Sequence, residues 1–252
     1  MSDHIEQATA TAPTQRAFET VLQHIETQIL EGNLRVGDRL PAERELAVQL
    51  SVSRPAIREA IRTLEAQGVL ASRVGSGAHS GTHVINERSQ ALARLLKLQV
   101  ALAQFPLDEV VVARIALERS SVQLAASQPK APELSRIADL LDEMDRTTDP
   151  AQFNAQDTHF HVWLAQIGHN NLVADLTEAV RESLRSPILR AEQQMDDWPG
   201  FRARLATEHR GIFDAILAGD GALAAERAEA HIRGSYTILP MKDLQSDRKT
   251  SE

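Results

Sequence analysis

Asp157-Thr158-His159-Phe160-His161 lies in a stretch of helical periodicity, and a helix sets Asp157 and His161 one turn apart on the same face. His159 is then turned about 200° away. Two further histidines, His209 and His231, each stand 11 residues from Asp220, which sits in the turn Gly219-Asp220-Gly221 between two helical stretches. In an antiparallel hairpin both would lie at one level, about 16 Å from the turn, and could face each other. Three imidazoles and one carboxylate make a nitrogen and oxygen ligand set suited to a divalent metal, zinc first, with nickel or manganese as alternatives, and no thiolate softens it. Each histidine taken singly is more often an ordinary partly buried residue, so spacing alone leaves both readings open.

A second constellation lies near the amino terminus. Arg54, Arg58 and Arg62 recur every four residues, against the single acid Glu59, while Ala56, Ile57, Ala60, Ile61 and Leu64 supply the opposite, apolar face. A short helix and a three- or four-residue turn precede this one. Such a pair can hold its second helix in a DNA major groove, where guanidinium groups read guanine edges. A solvated helix face explains the stripe alone equally well.

The chain that must position these groups has 252 residues and a formal net charge of −8, a length that suits two domains as readily as one. The acidity is not uniform: residues 14 to 95 hold 10 Lys/Arg against 9 Asp/Glu, whereas residues 96 to 252 hold 17 against 24. A nucleic-acid partner for the first part is therefore compatible with an acidic whole. Absence of cysteine excludes a disulfide scaffold, a thiolate metal site and a cysteine nucleophile. No basic segment followed by an apolar stretch opens the chain, and no run of 18 apolar residues occurs, so a cytoplasmic protein without a membrane partner is expected. Both ends are polar and are expected to be disordered.

Nine aromatic residues among 252, with abundant Ala and Leu, favour helices over a sheet sandwich. The spacing predicts a first helix from Phe18 to Gly32, a second opened by Pro41 and the acids after it, and a third capped by Ser53 and stopped at Gly68. Strands over Val69 to Val74 and Thr82 to Ile85 would flank a hairpin rich in glycine. A linking helix follows, and from Leu107 six helical stretches with short connections imply an antiparallel bundle, with a kink at Pro187. The fold class expected is mainly α. A winged helix-turn-helix domain would span 14–85, a linker helix 86–106, and an all-α antiparallel helical bundle 107–240.

The strings LPAERELA at 40–47 and LSVSRPAIREAIRTLEAQGVL at 50–70 closely resemble the winged helix-turn-helix of the GntR family of bacterial transcription regulators. That resemblance implies operator contacts from Arg44, Ser53, Arg54 and Arg58, with Gly77 in the wing, and a weaker role for Arg62. Two departures stand out: Ser51 occupies a turn position where the family more often has Gly, and the wing is several residues longer than the common form. DTHFH, EHRGIFDAILAGD at 208–220 and AERAEAHI at 225–232 resemble the ligand-binding helical (FCD) domain of the fatty-acid-regulator branch. The resemblance implies Asp157, His161, His209 and His231 as metal ligands. It implies Arg114 as the partner of an effector carboxylate, although Arg114 and Glu118 also fit a plain helix-surface ion pair.

Taken over residues 15 to 240, the resemblance implies a homodimeric repressor of a catabolic operon that binds palindromic double-stranded DNA. It is most similar to lactate-responsive members, which makes a small carboxylate such as lactate the expected effector. Arg181, Arg185 and Arg190 read as solvated charges, one of which could face the cavity, and Trp163 and Trp198 as packing or lid residues. His24, His79, His83, His159 and His169 have no evident partner set. A metal-dependent hydrolase built on the same four residues is the rival reading, disfavoured because no HExxH string supplies a general base. A regulator whose metal is purely structural is another.

Overall fold

The computed structural model describes residues 13–75, 80–85, 90–102, 104–127 and 131–240. The chain divides between Ala91 and Leu92 into two compact units. The first begins with α1 (Pro13–Leu30), α2 (Glu43–Gln49) and α3 (Arg54–Ala66), followed by β1 (Leu70–Arg73) and β2 (Gly81–Val84). α1 and α2 both pack against α3. Their apolar faces close over a small core in which Val21, Ile25, Leu46, Ile57 and Leu64 are almost fully buried.

Local chemistry sets the ends of these elements. Ser53 caps α3 by accepting a hydrogen bond from the Ala56 amide, with Pro55 in the first turn, the arrangement that satisfies an otherwise orphaned helix donor. Gly68, at φ 74°, stops the same helix. Pro41 does not open α2 from inside as expected; it precedes the cap residue Ala42, whose amide donates to the Glu45 carboxylate at 3.2 Å. The tight turn between α2 and α3 puts Ser51 at φ 53°. A side chain in this left-handed region costs about 1–2 kcal/mol, which is why a glycine suits that position. β1 and β2 pair antiparallel, with Leu70 opposite Val84 and Arg73 opposite Gly81, so β2 begins one residue earlier than its sequence suggests.

The second unit is helical throughout its described residues. α4 (Gln90–Ala101) is followed by α5 (Leu107–Ser127), α6 (Ala131–Arg146), α7 (Pro150–Ile167), α8 (Asn171–Gln193), α9 (Trp198–Leu217) and α10 (Gly221–Ile238). Aspartates or asparagine cap four of them: Asp149, Asn170, Asp197 and Asp220 each accept an amide hydrogen bond from the first turn. Gly219, at φ 72°, turns the chain from α9 into α10. α8 runs on through Pro187. None of the described helices is long and apolar enough to cross a membrane. The mainly α architecture read from the sequence is borne out, as is the wing of two strands.

α5 is the central helix, packed against α7, α8, α9 and α10. At its end the approach of α7 is so close that a side chain at Gly168 would meet Leu124 Cβ at 2.8 Å. The main core gathers Phe153, Phe160, Leu164, Leu141, Ile212 and Ile216 among its buried members. Being enclosed on several sides, α5 buries polar residues too: Arg114, Glu118 and Ser121 are all inside. α4 puts Leu96 and Val100 against Val110, Val180 and Leu184. Its other face leaves Leu92, Leu95 and Leu98 between 42% and 57% exposed, and Leu102, just past its end, is 67% exposed.

Candidate metal centre

Five helices contribute to one buried polar cluster. α7 supplies Asp157 and His161, α9 supplies His209, and α10 supplies His231. One ligand atom from each of the four lies within 4.8 Å of every other, and all four residues are buried. His161 Nε2 and His209 Nε2 are 3.3 Å apart. Asp157 Oδ1 stands 3.0 Å from His209 Nε2 and 3.7 Å from His161 Nε2. Ligands about 2.0–2.1 Å from a tetrahedral zinc are separated by about 3.3 Å, so these spacings fit a single divalent ion.

The distal nitrogens decide which nitrogen each ring presents. His161 Nδ1 faces Glu118 Oε2 at 2.8 Å, and His231 Nδ1 faces Glu208 Oε2 at 2.8 Å. An Nδ1–H donated to a carboxylate leaves the Nε2 lone pair directed inward, the usual support for a ligating imidazole. His209 is different: its ring lies beside Phe153 and Phe160, and its buried Nδ1 has no hydrogen-bond partner among the described residues. Burial holds His161 well below the ordinary histidine range, helped by the Arg181 charge and opposed by Glu118. Burial likewise lowers His231 to about 4 despite its bond to Glu208. Neutral imidazoles are what a metal requires.

Charge is balanced behind the ligands by two arginines. Burial would raise the Asp157 carboxyl, but the Arg181 charge and the hydrogen bond from His209 hold it well below its usual range. Glu118 behaves alike, with Arg181, Arg114 and His161 overcoming the effect of burial. Arg181 commits its whole guanidinium: Nε and Nη2 donate to Glu118 at 2.8 Å each, and Nη1 donates to Asp157 Oδ2 at 2.7 Å. Arg114 donates from Nε to Glu118 at 2.6 Å and from Nη1 to the Tyr236 hydroxyl at 3.3 Å. Burial opposes the charge of Arg114, and Glu118 more than restores it.

Arg114 and Glu118 are therefore not a helix-surface pair; they are 4% and 2% exposed. Among the three arginines of α8, Arg181 is buried while Arg185 and Arg190 are exposed. Spacing gave no signal for Arg181, Glu192 or Asn154, and Glu208 was marked only by standing next to His209. Trp198 packs on Phe153 and donates its indole N–H to Thr148 O, and Trp163 lies against the core. His159 is exposed.

In the first unit, Arg44, Arg54, Arg58 and Arg62 all point to solvent. Ser53 is exposed but its hydroxyl is engaged as the cap of α3. One acid not singled out in the sequence, Glu43, takes hydrogen bonds from Arg58 Nε at 2.8 Å and Arg54 Nη2 at 3.3 Å. Burial would raise its carboxyl, but these two arginines hold it below the ordinary value. Glu43 thus organises two guanidiniums on the exposed face of α3. Gly77 and His79 lie outside the described residues.

Residues 17–79 match the gntR family of bacterial regulatory proteins, and residues 109–234 match the FCD domain. Among similar proteins, a candidate L-lactate dehydrogenase operon regulatory protein of Escherichia coli is 31% identical over 233 residues, covering 92% of this chain and 89% of that one. The transcriptional regulator LutR of Bacillus subtilis is 30% identical over 216 residues, covering 84% of this chain and 95% of the relative. A solved GntR structure from Streptococcus agalactiae superposes with a TM-score of 0.55 at 24% identity, covering 86% of this chain and 97% of that one, and shares the fold.

Proposed function

As a member of the gntR family of bacterial regulatory proteins carrying an FCD domain, the chain is a DNA-binding transcription regulator, and we propose that it is a metal-dependent repressor that senses a small carboxylate. In this reading residues 14–85 bind DNA, 86–106 link, and 107–240 receive metal and effector. The observation that carries it is the convergence of Asp157, His161, His209 and His231 within 4.8 Å, backed by a buried arginine. Lactate is the first effector to test, because two relatives are at least 30% identical and one of them is named for a lactate dehydrogenase operon. The relatives are regulators, so the hydrolase reading of the same residues is set aside.

Zinc suits the ligand set best, with nickel and manganese as alternatives. A bound divalent ion would supply a Lewis-acid seat for one effector oxygen. Arg114, buried beside the cluster, would hold the carboxylate, because a forked guanidinium matches that group. Arg181, fully committed to Glu118 and Asp157, would fix the geometry of the ligands. Glu118 and Glu208 would keep His161 and His231 in the tautomer that presents Nε2.

On the DNA side, Arg44, Arg54 and Arg58 would contact bases and phosphates, Ser53 would position the start of α3, and Gly77, outside the described residues, would add a further contact. The exposed leucines of α4 support a homodimer, which a palindromic operator would match half-site for half-site. Effector binding would weaken operator affinity by shifting the dimer away from the half-site spacing it grips.

The test is a titration of L-lactate into full-length protein bound to its operator, with zinc present and after chelation. Release by lactate only in the presence of zinc supports the reading. Equal release after chelation assigns the metal a purely structural role.

A further inference from the structure

α7 carries a third polar residue on the face of its two ligands. Asn154 precedes Asp157 by three residues and His161 by seven, so all three project to one side of the helix. Asn154 and, across from it on α8, Glu192 are 2% and 3% exposed. Asn154 Nδ2 donates to Glu192 Oε2 at 3.1 Å. The other half of the amide is unused: Asn154 Oδ1 is buried and has no hydrogen-bond partner among the described residues. Buried carbonyl oxygens are nearly always paired, and one left bare in a native interior marks a place where a missing group completes the bonding.

Glu192 lies on α8, the helix that also carries Arg181 to Asp157. Burial, reinforced by Asp157, pushes its carboxyl up to about 8. The geometry sets a carboxyl group beside a bare amide oxygen. The amide oxygen accepts the hydrogen bond that an alcohol donates, and the neighbouring carboxyl group gives that hydroxyl a second polar partner. A methyl or methylene group leaves Asn154 Oδ1 unsatisfied. A second carboxylate sets acceptors against an acceptor, close to Asp157.

We propose that Asn154 and Glu192 form a subsite for the hydroxyl group of the effector, which restricts the ligand class to hydroxy acids over unsubstituted acids and dicarboxylates. This rests on the reading of the histidine cluster as the effector site. Arg114 and the metal seat hold the carboxylate, and the Asn154–Glu192 pair selects among carboxylates by the hydroxyl they carry. A site built to bond a hydroxyl discriminates strongly against the analogue lacking it, because its own polar groups are then left unpaired.

L-lactate and propionate differ only in that hydroxyl, so calorimetric titration of each into zinc-loaded full-length protein tests the subsite. The wild type is expected to prefer lactate by about tenfold or more. Glu192→Leu should bring the two affinities within about threefold by weakening lactate and sparing propionate. Glu192→Gln keeps a donor and an acceptor and should retain the preference. Equal binding of both acids by the wild type, or an undiminished preference in Glu192→Leu, overturns the hydroxyl subsite alone. Binding of neither acid by fully metal-loaded wild type overturns the effector site itself. Should Glu192→Leu fail to fold, the wild-type ratio and Asn154→Ala carry the same decision.

Discussion

The Oδ1 atom of Asp157 lies 3.0 Å from Nε2 of His209, while the other oxygen of the same carboxylate receives Nη1 of Arg181 at 2.7 Å. One side chain thus faces the imidazole cluster and the cationic scaffold at once. Removing its imidazole partner should disable ion binding without touching the DNA-binding unit. His209→Ala is expected to lower zinc affinity by more than about 100-fold, measured by competition with a chelating dye. Operator affinity without effector should stay within about twofold. A full complement of zinc in this variant would refute the ligand assignment.

Glu208 acts on His231 from outside the cluster, holding Nδ1 at 2.8 Å while its own side chain is 27% exposed. Its partial exposure makes truncation tolerable to the fold. Glu208→Ala should reduce zinc affinity by about 10-fold, and Glu208→Gln, which still accepts a hydrogen bond, should restore most of it. Equal affinities in all three proteins would show that the carboxylate does not orient the ring.

Arg58 on α3 and Glu43 on α2 should give opposite results in an anisotropy titration with DNA. If Arg58 contacts a base, Arg58→Ala is expected to cost about 1–3 kcal/mol of discrimination at that base pair. Glu43→Gln releases two guanidiniums from a neighbouring negative charge and should tighten binding to random-sequence duplex, with a steeper salt dependence by about one unit of slope. Because the ion pairs are largely solvent-exposed, folding stability should move by less than about 1 kcal/mol. Weaker random-sequence binding by Glu43→Gln would contradict this.

Acid should destabilise the metal-free protein through His231. In the folded chain that ring is lowered to about 4 from the ordinary histidine value of 6.5, so between these values the unfolded chain binds more protons. Its stabilising contribution is therefore intact above about pH 6.5 and is lost as pH falls toward 4. Urea unfolding across that window should show a fall in stability that His231→Gln makes shallower. Identical slopes for the two proteins would mean that the ring is protonated in the fold.

How far the sequence foretold this site depends on whether a contact is written along one helix or across two. Asp157 and His161 share a face by their spacing, and the equal distances of His209 and His231 from Asp220 bring them level across the hairpin. Ser53, Gly68 and the aspartate caps are local signals as well, and the helices they bound are found close to where they were expected. Arg181, Glu192 and Glu43 depend on how one helix is rotated against another, which no single stretch records. Arg114 and Glu118 show the same difficulty: their spacing is that of a surface pair, and only the packing of α7, α8, α9 and α10 around α5 puts them inside.

The four candidate ligands come from three helices and reach from Asp157 to His231, in a chain that has no cysteine with which to cross-link itself. An ion seated among them would close long loops of polypeptide, as a disulfide does, but reversibly and independently of redox state. Resistance of this unit to heat and proteolysis would then track free metal concentration in the surrounding solution. The protein would in effect carry a removable staple, drawn tight when the ion is plentiful and slack when it is scarce.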